Sequence, residues 1–287
     1  MTVNIRKKSG KINARDYWTQ FMEQAYEFMQ TIDRYPVLEN AEGLVSLVEA
    51  TKNAGIKVTF SNRPSLNRFS RLFYLREGLI GDFLGIAEEM NRKNFILHIE
   101  DAFRSKSMQK GGFTQDYTFD VILKRVMWEL KGNMPEPELL FRRLAAMIAN
   151  SPKVGTHMSG SALDITIFSF ADYCEIDRGA SYLEFSELTP MNSPFIDKET
   201  KKNREQITDI FERFGFVAYP YEFWHYSKGD AYEKLLKKSD VPAGYGPIDF
   251  DVASGRVTPI ENSSQSLISL EEIHTMIMMS LARMGSV

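Results

Sequence analysis

The sequence predicts an α+β protein, because amphipathic helices and short alternating strands follow one another without the regular βαβ order of a doubly wound sheet. Apolar and polar residues alternate at 95–100 and again from Ser161 onward, which is the pattern of half-buried strands. The longest helix is indicated by apolar residues at three- and four-residue steps from Trp18 to Ile32, with Asn13 as its N-cap. These three observations place helices and a sheet in the same chain.

The remaining elements follow from periodicity and from residues typical of helix ends. Apolar periodicity predicts further helices at about 42–54, 76–92, 115–131, 137–149 and 199–214. Strands are predicted from Ile56 and after Gly215, a residue suited to end the preceding helix. The last helix begins at Ser269, where Glu272 completes a capping-box pattern. Residues 238–266 are rich in Gly, Pro and Ser, so we expect a loop there.

The composition excludes several classes of protein. The 287 residues carry 38 acidic and 35 basic side chains, a net charge of −3, and 43% of them are hydrophobic. This balance excludes a disordered chain and a strongly basic one, so we expect no nucleic-acid partner. No apolar run approaches the ~20 residues that span a bilayer, and no secretory signal is recognisable. Because Cys174 is the single cysteine, no disulfide is required, and we expect a cytoplasmic protein.

Two of the histidines lie in segments that suggest metal chemistry. The chain contains four histidines, His98, His157, His225 and His274. His157 precedes Asp164 by seven residues, and Glu222 precedes His225 by three. Two imidazoles and one carboxylate suit a catalytic zinc, because three protein ligands leave the fourth tetrahedral position for water, and a nearby second carboxylate suits a general base. Either spacing also arises by chance, so on spacing alone a hydrogen-bonded histidine without a metal is the alternative.

The two segments match longer motifs that occur in a fixed order. Residues 157–164 fit H-x-x-G-x-A-x-D, and residues 222–225 fit E-x-W-H. Upstream, LHIEDAFRSKSMQ is similar to a strand followed by D-x-Y-R, with Arg104 in the arginine position. Downstream, Asn203 and Arg204 open a stretch similar to the helix that leads into E-x-W-H. Over roughly residues 73–260 the chain thus resembles the D-alanyl-D-alanine dipeptidase family of zinc peptidases.

The resemblance implies a fold, a cofactor and roles for individual residues. The implied fold is the one shared with Hedgehog signalling domains and D,D-carboxypeptidases, a small antiparallel sheet that carries a zinc site and is flanked by helices. One zinc ion per chain would be held by His157, Asp164 and His225. Glu222 would act as general base and acid on a metal-bound water, and Arg104 would stabilise the oxyanion. The implied substrate is a small D,D-dipeptide, most simply D-Ala-D-Ala.

Substrate binding is where the sequence departs from the family pattern. The family's P-M-G-x-x-F-D segment, whose acid receives the substrate ammonium, reads P-M-N-S-P-F-I-D here, so Ile196 stands in the acid's place. We expect Asp197 to replace it if the chain turns this side chain inward, and we assign Thr156 and Ser161 to the substrate site as well. If Asp197 faces solvent instead, N-blocked peptides should be cut at least as well as free dipeptides.

These observations are compatible with three functions, and they predict how the chain is divided into domains. A D,D- or L,D-carboxypeptidase acting on peptidoglycan-type peptides is the alternative to the dipeptidase, and a non-catalytic zinc-binding interaction module is the second alternative. Glu222 argues against the module, because a purely structural metal site needs no free base beside it. We expect an N-terminal helical extension at 1–72, a catalytic domain at 73–260 and a C-terminal helix at 261–287. A homo-oligomer is compatible with the sequence.

Overall fold

The computed structural model describes residues 12–64 and 69–285 and has an α+β architecture, as predicted. Its strands are β1 (Leu44–Ser46), β2 (Val58–Phe60), β3 (Tyr74–Arg76), β4 (Phe95–Asp101), β5 (Ala162–Ser169), β6 (Val217–Ala218), β7 (His225–Ser227), β8 (Ile248–Asp251) and β9 (Arg256–Pro259). Its helices are α1 (Ala14–Arg34), α2 (Leu47–Ala54), α3 (Ile80–Arg92), α4 (Lys106–Thr114), α5 (Asp116–Glu129), α6 (Pro137–Ile148), α7 (Lys198–Arg213), α8 (Ala231–Leu236) and α9 (Leu270–Met284).

The main sheet has five strands in the order β2-β4-β5-β7-β6. Its four strands from β4 to β6 are antiparallel, as the resemblance implied, whereas β2 pairs with β4 in parallel. A parallel pair needs a long connection, and α3 lies within the connection from β2 to β4. The sheet is therefore small and mostly antiparallel, with one parallel strand at its edge.

Helix ends follow the capping residues of the sequence. Asn13 Oδ1 accepts hydrogen bonds from the backbone N–H groups of Arg15 and Asp16, and Ser269 forms the predicted capping box with Glu272. The predicted helix at 42–54 is shorter, because Ser46 caps α2 and the residues before it pair with β3. None of the described helices is long and apolar enough to cross a bilayer.

Two further segments differ from the sequence-based prediction. Residues 238–266, expected to be a loop, contain the antiparallel hairpin β8–β9, whose turn places Gly255 at φ +72°. The residues that suggested a loop are those that a tight turn requires. Helix α4 was not predicted, because Gly111 and Gly112 are poor helix formers. Gly112 allows α4 to pack closely against α6, since a Cβ on Gly112 would lie 3.1 Å from Cγ2 of Ile148.

The buried apolar residues of the described ranges form two cores. One core lies between the main sheet and α3 and α7, and it contains Leu97, Ile99 and Ile165. The other lies within a helical layer in which α1, α5 and α9 pack around α6. Because side chains alternate along a strand, β4 and β5 turn His98, Asp164 and Thr166 away from the first core. The polar face of the sheet is the one that carries the candidate site.

A buried ion pair joins two helices of the helical layer. Arg143 on α6 donates through Nε to Glu129 Oε2 on α5 at 2.9 Å, and both side chains are almost fully buried. Glu23 on α1 also pairs with Arg143 but is far more exposed. Removing one member of a buried pair leaves an uncompensated charge.

We expect Glu129→Gln to lower the free energy of unfolding by about 3 kcal/mol, because the guanidinium of Arg143 stays buried without its main counter-charge. Urea denaturation followed by circular dichroism measures this change. Glu205→Gln is the control, since Glu205 and Lys201 form an exposed pair at 3.7 Å and its loss should change stability little. Equal effects of the two substitutions would contradict the argument.

Candidate metal centre

Three neighbouring strands bring polar residues to one row of the sheet. Asp101 on β4 is the register partner of Asp164 on β5, and Asp164 is in turn the partner of His225 on β7. The pairing of β4 with β5 shifts register between Ile99 and Asp101, which marks a bulge. Such a bulge re-aims the side chains that follow it, and here the strand leads on to Arg104.

His157, the second histidine of the centre, lies in a short 3-10 turn directly before β5. This turn spans Thr156–Ser159 and ends at Gly160, whose φ of +65° favours glycine. A Cβ at Gly160 would also lie 2.6 Å from Leu44 Cδ2. The backbone N–H of Arg104 donates to the carbonyl oxygen of His157 at 3.1 Å. The glycine of the H-x-x-G-x-A-x-D motif thus lets the turn pack closely and brings His157 to the sheet.

His157, Asp164 and His225 meet in one buried cluster. Asp164 Oδ1 lies 3.1 Å from Nε2 of His157 and 2.9 Å from Nδ1 of His225. One ligand atom from each residue lies within 4.8 Å of the other two. Two nitrogens and one carboxylate oxygen are the donors that catalytic zinc takes from proteins. The donor set therefore fits a zinc ion with a fourth position left open.

Hydrogen bonds behind the imidazoles fix which nitrogen faces the centre. The carbonyl oxygen of Ala102 can only accept, so Nδ1 of His157 donates to it and leaves Nε2 as the ligand atom. Nε2 of His225 lies 2.9 Å from Oγ1 of Thr156, which holds the ring with Nδ1 toward Asp164. Such contacts orient metal-binding histidines and fix their tautomers.

The second oxygen of Asp164 is held by two more side chains. Arg104 Nη2 donates to Asp164 Oδ2 at 3.1 Å, and the Tyr182 hydroxyl donates to the same oxygen at 2.9 Å. Arg104 is fixed from its other side, because its Nε donates to Asp101 Oδ2 at 2.8 Å. Arg71 pairs with that same Asp101 oxygen at 3.1 Å. Asp164 thus offers Oδ1 to a metal while Oδ2 is occupied by protein donors.

The charges in this cluster shift the pKa of its members. Burial acts to raise the pKa of Asp164, but the imidazoles of His157 and His225 hold that pKa well below its usual range. Burial lowers the pKa of His225 despite the opposing effect of Asp164, which favours the neutral imidazole that a metal ligand requires. Burial and the charge of Asp164 raise the pKa of Glu222 well above its usual range, and Arg104 opposes them.

Glu222 reaches the site through a turn between β6 and β7. A plain strand would point Glu222 and His225 to opposite faces, so their three-residue spacing requires a turn or bulge after Pro220. The structure confirms it, since residues 219–224 leave the sheet and the backbone N–H of Glu222 bonds to the carbonyl of Tyr219. Glu222 lines the same cavity as His157, Asp164 and His225.

The three residues assigned to substrate binding have different locations. Thr156 lines the cavity, but its hydroxyl contacts His225. Ser161 is fully buried, donates to Asp230 at 2.7 Å and does not line the cavity. Asp197 is exposed, is the N-cap of α7 and accepts from the Thr200 N–H at 2.8 Å. Hydrogen bonds thus hold the side chains of Ser161 and Asp197 outside the cavity, and their assignment to substrate binding stays a prediction.

Sequence reasoning missed three polar residues of the site. Asp101 holds Arg104 in place, Arg71 pairs with Asp101, and Tyr182 holds Asp164. Asp101 lies inside the segment that resembles D-x-Y-R, so its position was a usable signal. Arg71 and Tyr182 lie outside the motifs, and nothing in their spacing points to the centre. The pKa of Tyr182 is raised well above its usual range by burial and by Asp164, so its hydroxyl remains a donor.

The fold and the donor set, with a carboxylate beside it, define a metallopeptidase-type centre. A family model described as D-ala-D-ala dipeptidase (Peptidase_M15) matches residues 90–242, which include every proposed ligand and Glu222. The match spans more than half of the chain, and the chain belongs to this family. The resemblance derived from the motifs is thereby confirmed.

Two of the known proteins that are similar to this chain are a dipeptidase and a solved carboxypeptidase structure. A D-alanyl-D-alanine dipeptidase from Synechocystis sp. is 30% identical over 148 residues, which are 45% of this chain and 58% of that protein. The chain therefore spans less than two thirds of the length of this relative. A solved structure of the LdcB LD-carboxypeptidase aligns with 74% of this chain and 80% of its own, at 18% identity and a TM-score of 0.36.

We expect Tyr182→Phe to weaken zinc binding by about tenfold to 100-fold, because Asp164 Oδ2 loses a hydrogen bond that orients the carboxylate. Competition with a chromogenic chelator measures the affinity without any peptide substrate. Tyr173→Phe is the matched control, since Tyr173 is 55% exposed and does not line the cavity. An unchanged affinity in Tyr182→Phe would show that Arg104 alone suffices to orient Asp164.

Proposed function

We propose that this protein is a zinc-dependent peptidase that hydrolyses a short peptide ending in D-Ala-D-Ala, most simply the free D,D-dipeptide. One observation carries the proposal: the donor atoms of His157, Asp164 and His225 converge in a cavity that Glu222 and Arg104 also line. Membership of the D-ala-D-ala dipeptidase family supports the substrate. When bound, zinc supplies a Lewis acid that polarises the scissile carbonyl and activates water at neutral pH.

Glu222 moves the proton in this proposal. Its carboxylate accepts a proton from the attacking water while the oxygen forms a bond to the carbonyl carbon. The protonated Glu222 then donates this proton to the amine nitrogen as the carbon–nitrogen bond breaks. Because its surroundings raise the pKa of Glu222, the residue binds a proton more readily than an exposed glutamate does. That property suits a group that must serve as both base and acid.

Arg104 stabilises the negative charge on the substrate. The carbonyl oxygen gains charge as its carbon becomes tetrahedral, and a fixed donor near it lowers the barrier. Arg104 is held by Asp101 through Nε and by Asp164 through Nη2, so we assign Nη1 to the oxyanion. Burial acts to lower the pKa of Arg104, but these two carboxylates raise it above its usual value. The guanidinium is therefore cationic throughout the reaction.

A second candidate function is that of a D,D- or L,D-carboxypeptidase. The specific observation is the location of Asp197, which caps α7 at the surface and does not line the cavity. A free dipeptide carries an ammonium close to the scissile bond, and burying it without a counter-charge is costly. A carboxypeptidase substrate carries an amide at that place and needs no such carboxylate.

We expect one zinc ion per chain, with binding lost in the double variant His157→Ala/His225→Ala, because one carboxylate alone holds zinc weakly. Elemental analysis of the purified, dialysed protein gives the stoichiometry. His98→Ala/His274→Ala, which removes the other two histidines, should retain zinc. Stoichiometric zinc in His157→Ala/His225→Ala would place the metal elsewhere.

We expect Glu222→Gln to retain zinc and to lower kcat by about 10²- to 10⁴-fold, because the proton acceptor is gone. Arg104→Ala should lower kcat by roughly 10²- to 10³-fold for want of an oxyanion donor. Release of D-alanine from D-Ala-D-Ala and from N-acetyl-D-Ala-D-Ala is the assay. Glu175→Gln and Arg142→Ala, which change residues outside the cavity, serve as controls. Wild-type turnover in zinc-loaded Glu222→Gln would exclude this mechanism.

A further inference from the structure

Two arginines that do not line the cavity are buried beside the turn that carries Glu222. Arg204 on α7 and Arg178 on the connection from β5 to α7 are each 2% exposed. All their hydrogen bonds to described residues are accepted by neutral oxygens. Burial and the charge of Arg178 lower the pKa of Arg204 to about 10, so Arg204 remains cationic at neutral pH. Burying a charge without a counter-ion is costly, and such a cost is typical of functional sites.

The guanidinium of Arg204 holds two distant parts of the connection between β5 and α7. Its Nε donates to the carbonyl oxygen of Arg178 at 2.8 Å. Its Nη1 donates to the carbonyl oxygens of Pro190 at 2.7 Å and Met191 at 3.3 Å. Its Nη2 donates to the carbonyl oxygen of Leu188 at 2.9 Å. The planar fork of an arginine can bind several acceptors at once, and here it ties residue 178 to residues 188–191.

The same connection holds the turn of Glu222 by two backbone hydrogen bonds. The N–H of Phe223 donates to the carbonyl oxygen of Thr189 at 3.2 Å. The N–H of Met191 donates to the carbonyl oxygen of Pro220 at 3.0 Å. Because Glu222 lies between positions 220 and 223, the segment bound by the arginine fixes the turn on both sides of the proposed base.

A ring contact links both arginines directly to the neighbour of Glu222. Cζ of Arg204 lies 4.1 Å from the ring centroid of Phe223, and Cζ of Arg178 lies 4.8 Å from the same centroid. A cation over the face of an aromatic ring is attracted by its π electrons. Arg178 also donates from Nη2 to the carbonyl oxygen of Ile165 on β5 at 2.9 Å. The turn is therefore joined through these contacts to the strand that supplies a metal ligand.

We propose that Arg204 is a positioning residue, which holds the carboxylate of Glu222 in place for proton transfer by fixing the connection and the ring of Phe223. The inference rests on the proposed function, because it assigns a further residue to the same reaction. None of the hydrogen bonds of Arg204 goes to a proposed metal ligand, so it acts through the turn. Misplacing a reacting group by about 1 Å can lower a rate by roughly 10²-fold.

The first test measures Arg204→Gln in the zinc-loaded protein with D-Ala-D-Ala and N-acetyl-D-Ala-D-Ala as substrates. We expect kcat to fall by about tenfold to 100-fold, because the base is no longer held in line with the reaction. KM and the zinc affinity should change little, since the three proposed ligands lie outside the turn. Arg204→Lys should have an intermediate kcat, because an ammonium cannot reproduce the planar fork.

A double variant separates positioning from a general loss of structure. If Arg204 acts through Glu222, Arg204→Gln should lower the residual kcat of Glu222→Gln by less than about twofold, because no base is left to misplace. A structural defect would lower kcat to the same extent in both backgrounds. Arg143→Gln is the matched control, since Arg143 is also a buried arginine but lies on α6 and does not line the cavity. It should lower stability and leave kcat unchanged.

Hydrogen exchange tests the geometry without any substrate. In zinc-loaded Arg204→Gln, the N–H groups of Phe223 and Met191 should exchange at least about tenfold faster, because the connection no longer holds the turn. Exchange along the β4–β5 ladder should stay unchanged. Phe223→Leu keeps an apolar side chain but removes the ring contact, and we expect it to lower kcat several-fold. It serves as the test of kcat if Arg204→Gln does not fold.

The outcomes distinguish the inference from the proposed function. If the wild type cuts the peptides and Arg204→Gln and Phe223→Leu cut them with the same kcat, the inference is wrong and the proposed function stands. If the wild type cuts neither peptide but exchange in the turn is faster in Arg204→Gln, the proposed function fails while the positioning of the turn by Arg204 stands. Equal losses of kcat with and without Glu222 would show a purely structural role and overturn the inference.

Discussion

The carboxylate of Asp164 is the interaction on which the rest of the site depends. It is 2% exposed, and burying a charge is costly unless each oxygen finds a partner. One oxygen faces the imidazoles of His157 and His225, and the other accepts from Arg104 and Tyr182. These partners come from strand β7, a 3-10 turn, the segment that follows β4 and the long connection between β5 and α7. The contacts that make burial of Asp164 tolerable are therefore the same contacts that order the metal centre.

Most of the regular elements could be predicted from local patterns. Apolar periodicity and the caps at Asn13 and Ser269 predict helices α1 and α9. The alternation of apolar and polar residues predicts strands β4 and β5. The short strand β1 could not be separated from α2, because its side chains continue the apolar pattern. The pairing of β2 with β4 was equally inaccessible, since a parallel pair joins segments about 40 residues apart and leaves no local signal.

The residues of the site also fall into two groups. Local sequence patterns predict one group, and segments without a recognisable pattern contribute the other. The cluster of His157, Asp164 and His225 was predictable, because motif spacing, a turn and strand register are local properties. Arg71 and Tyr182 were not, because each reaches the centre from a segment without a motif. Asp197 lies outside the cavity, and the local sequence contains a signal for this location: Asp197 stands just before a predicted helix and accepts from the N–H of Thr200. The location of Asp197 thus follows its preference for the N-cap of a helix, and not its place one residue after the family's acid position.

The segment before residue 73 also protects the sheet from other chains. Strand β2 covers one edge of β4, whose N–H and C=O groups would otherwise be unpaired. The same segment supplies Glu39, the partner of the fully buried Arg76. A protein shortened to begin at residue 73 would expose a seven-residue apolar strand edge and an uncompensated guanidinium. Aggregation of such a fragment would originate at this edge, so its insolubility would be uninformative about whether the metal centre can form.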